Sequence, residues 1–205
     1  MGQVRPYRGV EAPERLAQRR HRFLEAGLDL LGSAEHDLAE LTVRAICRRA
    51  GVAVRYFYEC FPDKDDFVAA VFDWVITGIA TTTQAAAAAA PQRTQSRAVM
   101  SDIVRTISED PRIGRLLFSS QLSNTIVVRK RAESGALFAL LSGRHASAAL
   151  RQSENDRIKA AAHFVVGGVG QTISAWLAHD VALEPDELVD QLTAMIDQLA
   201  DPRLY

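Results

Sequence analysis

Four arginines, Arg44, Arg48, Arg49 and Arg55, fall within a dozen residues that hold no acid, and Thr42, Val54, Tyr56, Tyr58 and Lys64 lie beside or between them. A guanidinium fork bonds guanine bidentately or grips phosphate, tyrosine hydroxyls reach phosphates and base edges, and an apolar group such as Val54 touches a thymine methyl. These residue types at this spacing suit contact with a nucleic acid. A second basic run, Arg5, Arg8, Arg15, Arg19, Arg20 and Arg22, meets only Glu11 and Glu14 before Phe23. Either run alone would equally fit a solvated helix face.

The elements that position these groups follow from apolar spacing. Phe23, Leu24, Leu28 and Leu31 mark one amphipathic helix, and Val43, Ile46, Cys47 and Ala50 follow the i, i+3, i+4, i+7 template of a second. Thr42 stands where an N-cap hydroxyl accepts from a first-turn N–H, and Gly51 supplies a turn. A further short helix follows, in which Val52, Phe57 and Phe61 face Ile46 and the first helix while Val54, Arg55, Tyr56, Tyr58 and Glu59 face outward. That is a helix-turn-helix, whose second helix enters the DNA major groove. Asp63 then caps a long helix over 63–88, placing Lys64 at its N-terminus, where backbone N–H groups and the helix dipole favour a phosphate. Arg44, in the first turn of the preceding helix, is placed to clamp the other side.

Helical periodicity continues to the C-terminus. Helices are expected over 92–108, 111–119 and 123–149, the last despite the strand character of Thr125-Ile126-Val127-Val128. Ser153-Glu154-Asn155-Asp156 reads as an N-cap with an acid at N3 before a helix over 154–179, and Pro185-Asp186-Glu187 as the first turn of a last helix over 185–200. The chain is therefore expected to be all-α, with a DNA-binding domain over 1–64, including a basic N-terminal arm, and a second domain over 65–205. Gly167, Gly168 and Gly170 thin one side of the 154–179 helix; they permit close approach of another helix or mark a bend. Trp74, Phe118 and His163 are candidates for lining a cavity between the C-terminal helices, where wide apolar stripes carry few bulky aromatics.

Composition bounds the remaining classes. The chain has 205 residues with 24 Lys plus Arg against 25 Asp plus Glu, so a uniformly basic coat is excluded and any basic surface is local. No apolar stretch is long enough to span a membrane, and the Arg-rich N-terminus lacks a signal-peptide core, so a cytoplasmic protein is expected. Cys47 and Cys60 make neither a disulfide scaffold nor a zinc site. His21, His36, His145, His163 and His179 show no metal-ligand spacing, and no GxSxG or phosphate-binding loop is present. Gly167-Gly168-Val169-Gly170 lies within a helical pattern rather than after a strand. No catalytic activity, metal or cofactor is expected.

The segment from Leu41 to Lys64 resembles the DNA-binding domain of the tetracycline-repressor (TetR) family of bacterial transcription regulators. Thr42-Val43, Ala50-Gly51-Val52, Phe57-Tyr58 and Phe61-Pro62-Asp63-Lys64 carry the resemblance, which is specific over about residues 14–75. Ala53 departs from it, standing where a Ser or Thr often caps the recognition helix, and Cys60 departs where a His or Tyr often meets a phosphate. The resemblance implies a homodimer paired through the 154–179 and 185–200 helices, which binds a palindromic operator and is released from it by a small apolar or amphipathic effector. It implies backbone roles for Thr42, Arg44, Tyr58 and Lys64 and base-reading positions for Arg55 and Tyr56. The alternative is a helical ligand-binding or adaptor protein without operator binding.

Overall fold

The computed structural model describes residues 12–33, 41–150, 153, 155–199 and 201, apart from the side chains of residues 12 and 148–150. The expectations that rest on Arg5, Arg8, Glu11, His36, Glu154 and residue 200 lie outside the described residues. The described residues form nine helices and no strand: α1 (Ala12–Gly32), α2 (Val43–Ala50), α3 (Val54–Cys60), α4 (Lys64–Ala89), α5 (Gln95–Glu109), α6 (Pro111–Phe118), α7 (Thr125–Leu150), α8 (Asp156–Leu177) and α9 (Pro185–Gln198). The all-α expectation holds, and Thr125 to Val128 is the first turn of α7 rather than a strand.

Local chemistry accounts for most of the boundaries. Thr42 Oγ1 accepts from Ala45 N at 3.1 Å and Asp63 Oδ1 from Asp66 N at 2.8 Å, so each satisfies a first-turn donor that has no helical partner. The α2 helix stops in a Schellman arrangement: Gly51 N donates to Arg48 O and Val52 N to Cys47 O. Gly51 has φ +61°, a left-handed conformation in which a side chain is strained. The α8 helix begins two residues later than the sequence suggests, because Asn155 rather than Ser153 is the cap; its Oδ1 accepts from Arg157 N and Ile158 N. Residues 92–94 form a separate 3-10 turn after Pro91, which shifts the start of α5 to Gln95. At α9 the expected Pro185 start is joined by a capping box between Glu184 and Glu187.

Two apolar cores organise these helices. The first joins α1 to α4 with α6 and the start of α7 around Phe23, Leu31, Ile46, Phe57, Phe61, Phe67, Phe72 and Leu116. The second joins α5, α8 and α9 around Val104, Ile107, Ile173 and Leu188. Ile103, Ile113 and Phe118 touch both. Residues 64 and 65, the expected domain boundary, open α4, a helix whose later turns stay in the first core.

The C-terminal end of α1 is locked to α6. A Cβ at Gly32 would lie 2.6 Å from the Arg112 carbonyl oxygen, so the two backbones meet as only glycine allows. Arg115 donates to Gly32 O at 3.2 Å, and Asp29 accepts from both Arg112 on α6 and Arg49 on α2. Asp29 therefore ties the helix-turn-helix to the C-terminal helices. Arg112 also holds Asp110, whose carboxyl lies below its ordinary range chiefly because that guanidinium donates to it. Further along, the guanidinium of Arg131 on α7 donates to the carbonyls of Arg115, Leu116, Ser119 and Leu122, closing the C-terminus of α6 and the turn after it. Its pKa is lowered by burial.

Candidate nucleic-acid interface

The α3 helix is held from behind by aromatic packing. Phe57 and Phe61 are fully buried among Phe23 and Phe67, with ring centroids 5.1–6.0 Å apart, mostly edge-to-face. Four rings from α1, α3, the residue after α3 and α4 thereby fix the orientation of a helix of only seven residues. On its own such a helix would not persist in water.

Arginines of α1 complete the clamp. Arg22 donates to Gly51 O at 3.1 Å, closing the end of α2, and Arg20 donates to Cys60 O at 2.8 Å, closing the end of α3. A cation at a helix C-terminus interacts favourably with the dipole as well as with the unpaired carbonyl. Arg20 also lies over the Phe61 ring at 4.5 Å, and Arg19 pairs with Glu59 at 3.1 Å. Part of the second basic run is therefore spent on holding the helix-turn-helix to α1. Sequence reasoning missed this use; the signal available was the spacing of Arg19, Arg20 and Arg22 around Phe23, which packs on the same two helices.

The residues expected to contact DNA divide by exposure. Thr42, Arg44, Val54, Arg55, Tyr58 and Lys64 are exposed, with Tyr58 at 59% and Val54 at 43% although both are large. Tyr56 differs: it is half-buried, packs on the first core, and its hydroxyl accepts from Arg55 Nη2 at 2.6 Å. Glu59 is occupied by Arg19, so its carboxylate charge is partly offset. Ala53 is the N-cap of α3 and forms no side-chain cap bond, which leaves first-turn N–H groups of that helix without a side-chain partner. Lys64 opens α4 beside the Asp63 cap, and Asp65 and Asp66 share that turn. The positive groups there are the Lys64 ammonium and the helix end, opposed by the two carboxylates.

Residues 23–71 match the family model described as bacterial regulatory proteins, tetR family. The chain carries a TetR-family DNA-binding domain. None of the curated proteins matches it. Among solved structures it is similar to the fatty acid degradation regulator FadR from Bacillus halodurans, at 15% identity and TM-score 0.72, covering 94% of this chain and 97% of that one. It is also similar to a TetR-like transcriptional regulator from Rhodococcus sp. RHA1, at 18% identity and TM-score 0.66 over 94% and 96% of the two chains. A third is the transcriptional regulator FadR from Bacillus subtilis in complex with stearoyl-CoA, at 17% identity and TM-score 0.62 over 89% and 98%. The fold is shared along nearly the whole length of each.

The three residues expected to line an effector cavity lie on three different helices. Trp74 on α4 is half-buried and meets the His21 ring edge-to-face at 5.5 Å. Phe118, at the end of α6, sits between the two cores. His163 is exposed on α8. Among the described residues, a cleft of about 220 Å³ opens instead where α1 meets α6 and α8, with Leu31, Arg115, Gln121, Leu122, Ser174 and Leu177 in its walls. It contains none of the three. Its volume falls below the roughly 300–1,000 Å³ of pockets that hold drug-sized ligands. No described helix is long and apolar enough to cross a membrane.

Proposed function

We propose that this chain is a repressor that binds a palindromic operator as a homodimer and leaves it when a small apolar or amphipathic effector binds within residues 65–205. The observation that carries the DNA half of this reading is the division of α3. Its inner side, Phe57, is sealed into the four-ring aromatic core, while Val54, Arg55 and Tyr58 remain exposed on its outer side. Arg55 takes a base-reading position, with Tyr56 beside it on the same helix. Thr42, Arg44, Tyr58 and Lys64 take the phosphate positions on either side.

Pairing through α8 and α9 is supported by what those helices leave uncovered. Phe164 is 68% exposed and Met195 52%, and a Cβ at Gly167 or Gly168 would meet nothing within 4 Å. Large apolar side chains beside bare glycines suit close approach of a second helix, and a two-fold interface presents the same patch from both subunits. A dimer of this kind sets two recognition helices on one face of the duplex.

For the effector, Trp74 and Phe118 are half-buried aromatics of the C-terminal helices, with His163 exposed on α8. Support for an amphipathic ligand comes from the related fold of the Bacillus subtilis regulator, which was solved with stearoyl-CoA. Moving a dimer from 99:1 to 1:99 in favour of the DNA-free form requires about 5.5 kcal/mol of differential affinity. The test is a thermal-shift screen of the full chain against fatty acids and acyl-CoA thioesters, followed by operator titration with each stabilising compound. A stabilising ligand that lowers operator affinity supports gating; stabilising ligands that all leave operator affinity unchanged refute it.

A further inference from the structure

The side chain of Tyr56 does not stand free on the reading face. Two guanidinium groups lie over its ring, with Cζ of Arg19 at 4.3 Å and Cζ of Arg55 at 4.6 Å from the centroid. Its hydroxyl accepts from Arg55 at 2.6 Å, and the ring itself is packed against the first core. Arg19 is in turn fixed at both ends, donating to Glu59 at 3.1 Å on α3 and to Arg15 O at 3.2 Å on its own helix. A chain of contacts thus runs from α1 through Arg19 and Tyr56 to the guanidinium of Arg55.

Successive residues of a helix point apart, so a bond from Arg55 to Tyr56 requires the arginine to fold across its neighbour. That contact uses one of the five N–H donors of the fork and leaves the others for a base edge. A free arginine on a surface samples many rotamers, and immobilising it on binding has an entropic cost; a guanidinium already held on a ring and a hydroxyl loses less. Cation–π contact is well suited to such holding, because the planar guanidinium lies on the ring without exhausting its donors.

We propose that Tyr56 is a positioning residue, not a base reader: together with Arg19 it presets the Arg55 guanidinium, so that base specificity at the Arg55 contact depends on a side chain of α1. This rests on the reading of α3 as the DNA-recognition helix. It reassigns Tyr56 from its expected base-reading role and gives Arg19 a part in sequence discrimination. Glu59 acts one step further out, by orienting Arg19.

The experiment uses the full chain and a duplex enriched by it from a randomised pool, with base preference determined position by position for wild-type, Arg55→Ala, Tyr56→Phe, Arg19→Lys and the Arg55→Ala/Tyr56→Phe double variant. Tyr56→Phe keeps the ring and its packing and removes only the hydroxyl, so its melting temperature stays at the wild-type value. Tyr56→Phe should relax preference at the same base pair as Arg55→Ala, lower affinity for the preferred duplex by about two- to ten-fold, and add nothing in the Arg55→Ala background; that size is the range of one net hydrogen bond. Arg19→Lys keeps the charge but lacks the flat fork, and should relax the same base pair with the salt dependence unchanged. Relaxation at a different base pair, or a loss that adds in full to that of Arg55→Ala, would show that Tyr56 reads a base itself and overturn the proposal. Unchanged preference in both Tyr56→Phe and Arg19→Lys overturns it equally. If wild-type protein enriches no sequence, the DNA-reading assignment of α3 fails, and this inference with it.

Discussion

Asp29→Asn should loosen the DNA-binding head from the C-terminal helices at a cost that the geometry bounds. Asp29 accepts from Arg49 of α2 at 2.7 Å and from Arg112 of α6, and its side chain is 22% exposed against 55% and 36% for the two arginines. The arginine ends are well solvated, so each pair belongs with surface ion pairs worth about 0.2–1 kcal/mol rather than with buried ones. Asparagine leaves helix propensity nearly unchanged and retains one acceptor oxygen. The expected loss is about 1 kcal/mol, or about 2–4 °C in melting temperature for a chain of this size. Thermal unfolding in low and high salt is the assay, since exposed pairs are screened at about 0.5 M salt and the difference between wild-type and variant should shrink there. A double-mutant cycle with Arg112→Gln should give a coupling energy of several tenths of a kcal/mol between α1 and α6. A variant that melts with wild-type protein in low salt, or whose deficit is as large in high salt, would refute the tie.

Other expectations follow from the same arrangement. Lys64→Ala should weaken binding to all DNA sequences alike and reduce the slope of log affinity against log salt by about one per subunit, measured by fluorescence anisotropy at several salt concentrations. Native thiol labelling should modify Cys60 faster than Cys47, because Cys47 is 4% exposed and Cys60 only half-buried; burial raises the pKa of both, and for Cys60 Arg19 and Arg20 oppose the rise. Asp110, held down chiefly by the Arg112 guanidinium, contributes stability that is complete above its unfolded pKa of about 3.8 and is lost as pH falls through its lower folded value. Asp110→Asn should therefore flatten the acid limb of stability as pH falls through and below about 3.8, read by chemical denaturation.

What the sequence disclosed, and what it did not, has a physical basis. Thr42, Gly51 and Asp63 act within three residues along the chain, so their roles as caps and turn were legible from local chemistry, and so was the burial of Phe57 and Phe61 from helical period. The half-buried state of Tyr56 was not legible, because it depends on where α1 crosses α3, and that crossing is set by the Phe23 ring against Phe57 and Phe61, far along the chain. For the same reason Arg19, Arg20 and Arg22 read as a basic run, although the fold directs them to Glu59, Cys60 O and Gly51 O. Asp29 and Arg112 act across 83 residues and Arg131 on the carbonyls at a helix end, and no spacing in the sequence announces either. Trp74, Phe118 and His163 were chosen by residue type on three separate helices, and type alone does not fix whether helices turn such residues toward one space.

The central claim is that α3 reads DNA as one of a symmetric pair. Its most direct test is selection of duplexes from a randomised pool by the full-length wild-type chain, followed by sequencing of the enriched sites. The account predicts an inverted repeat whose half-site centres lie about 34–36 Å apart, one turn of the duplex, or a small multiple of that distance, and loss of preference at one base pair per half-site in Arg55→Ala. Enrichment of sites without two-fold symmetry, or an inverted repeat read equally well by Arg55→Ala, would contradict it.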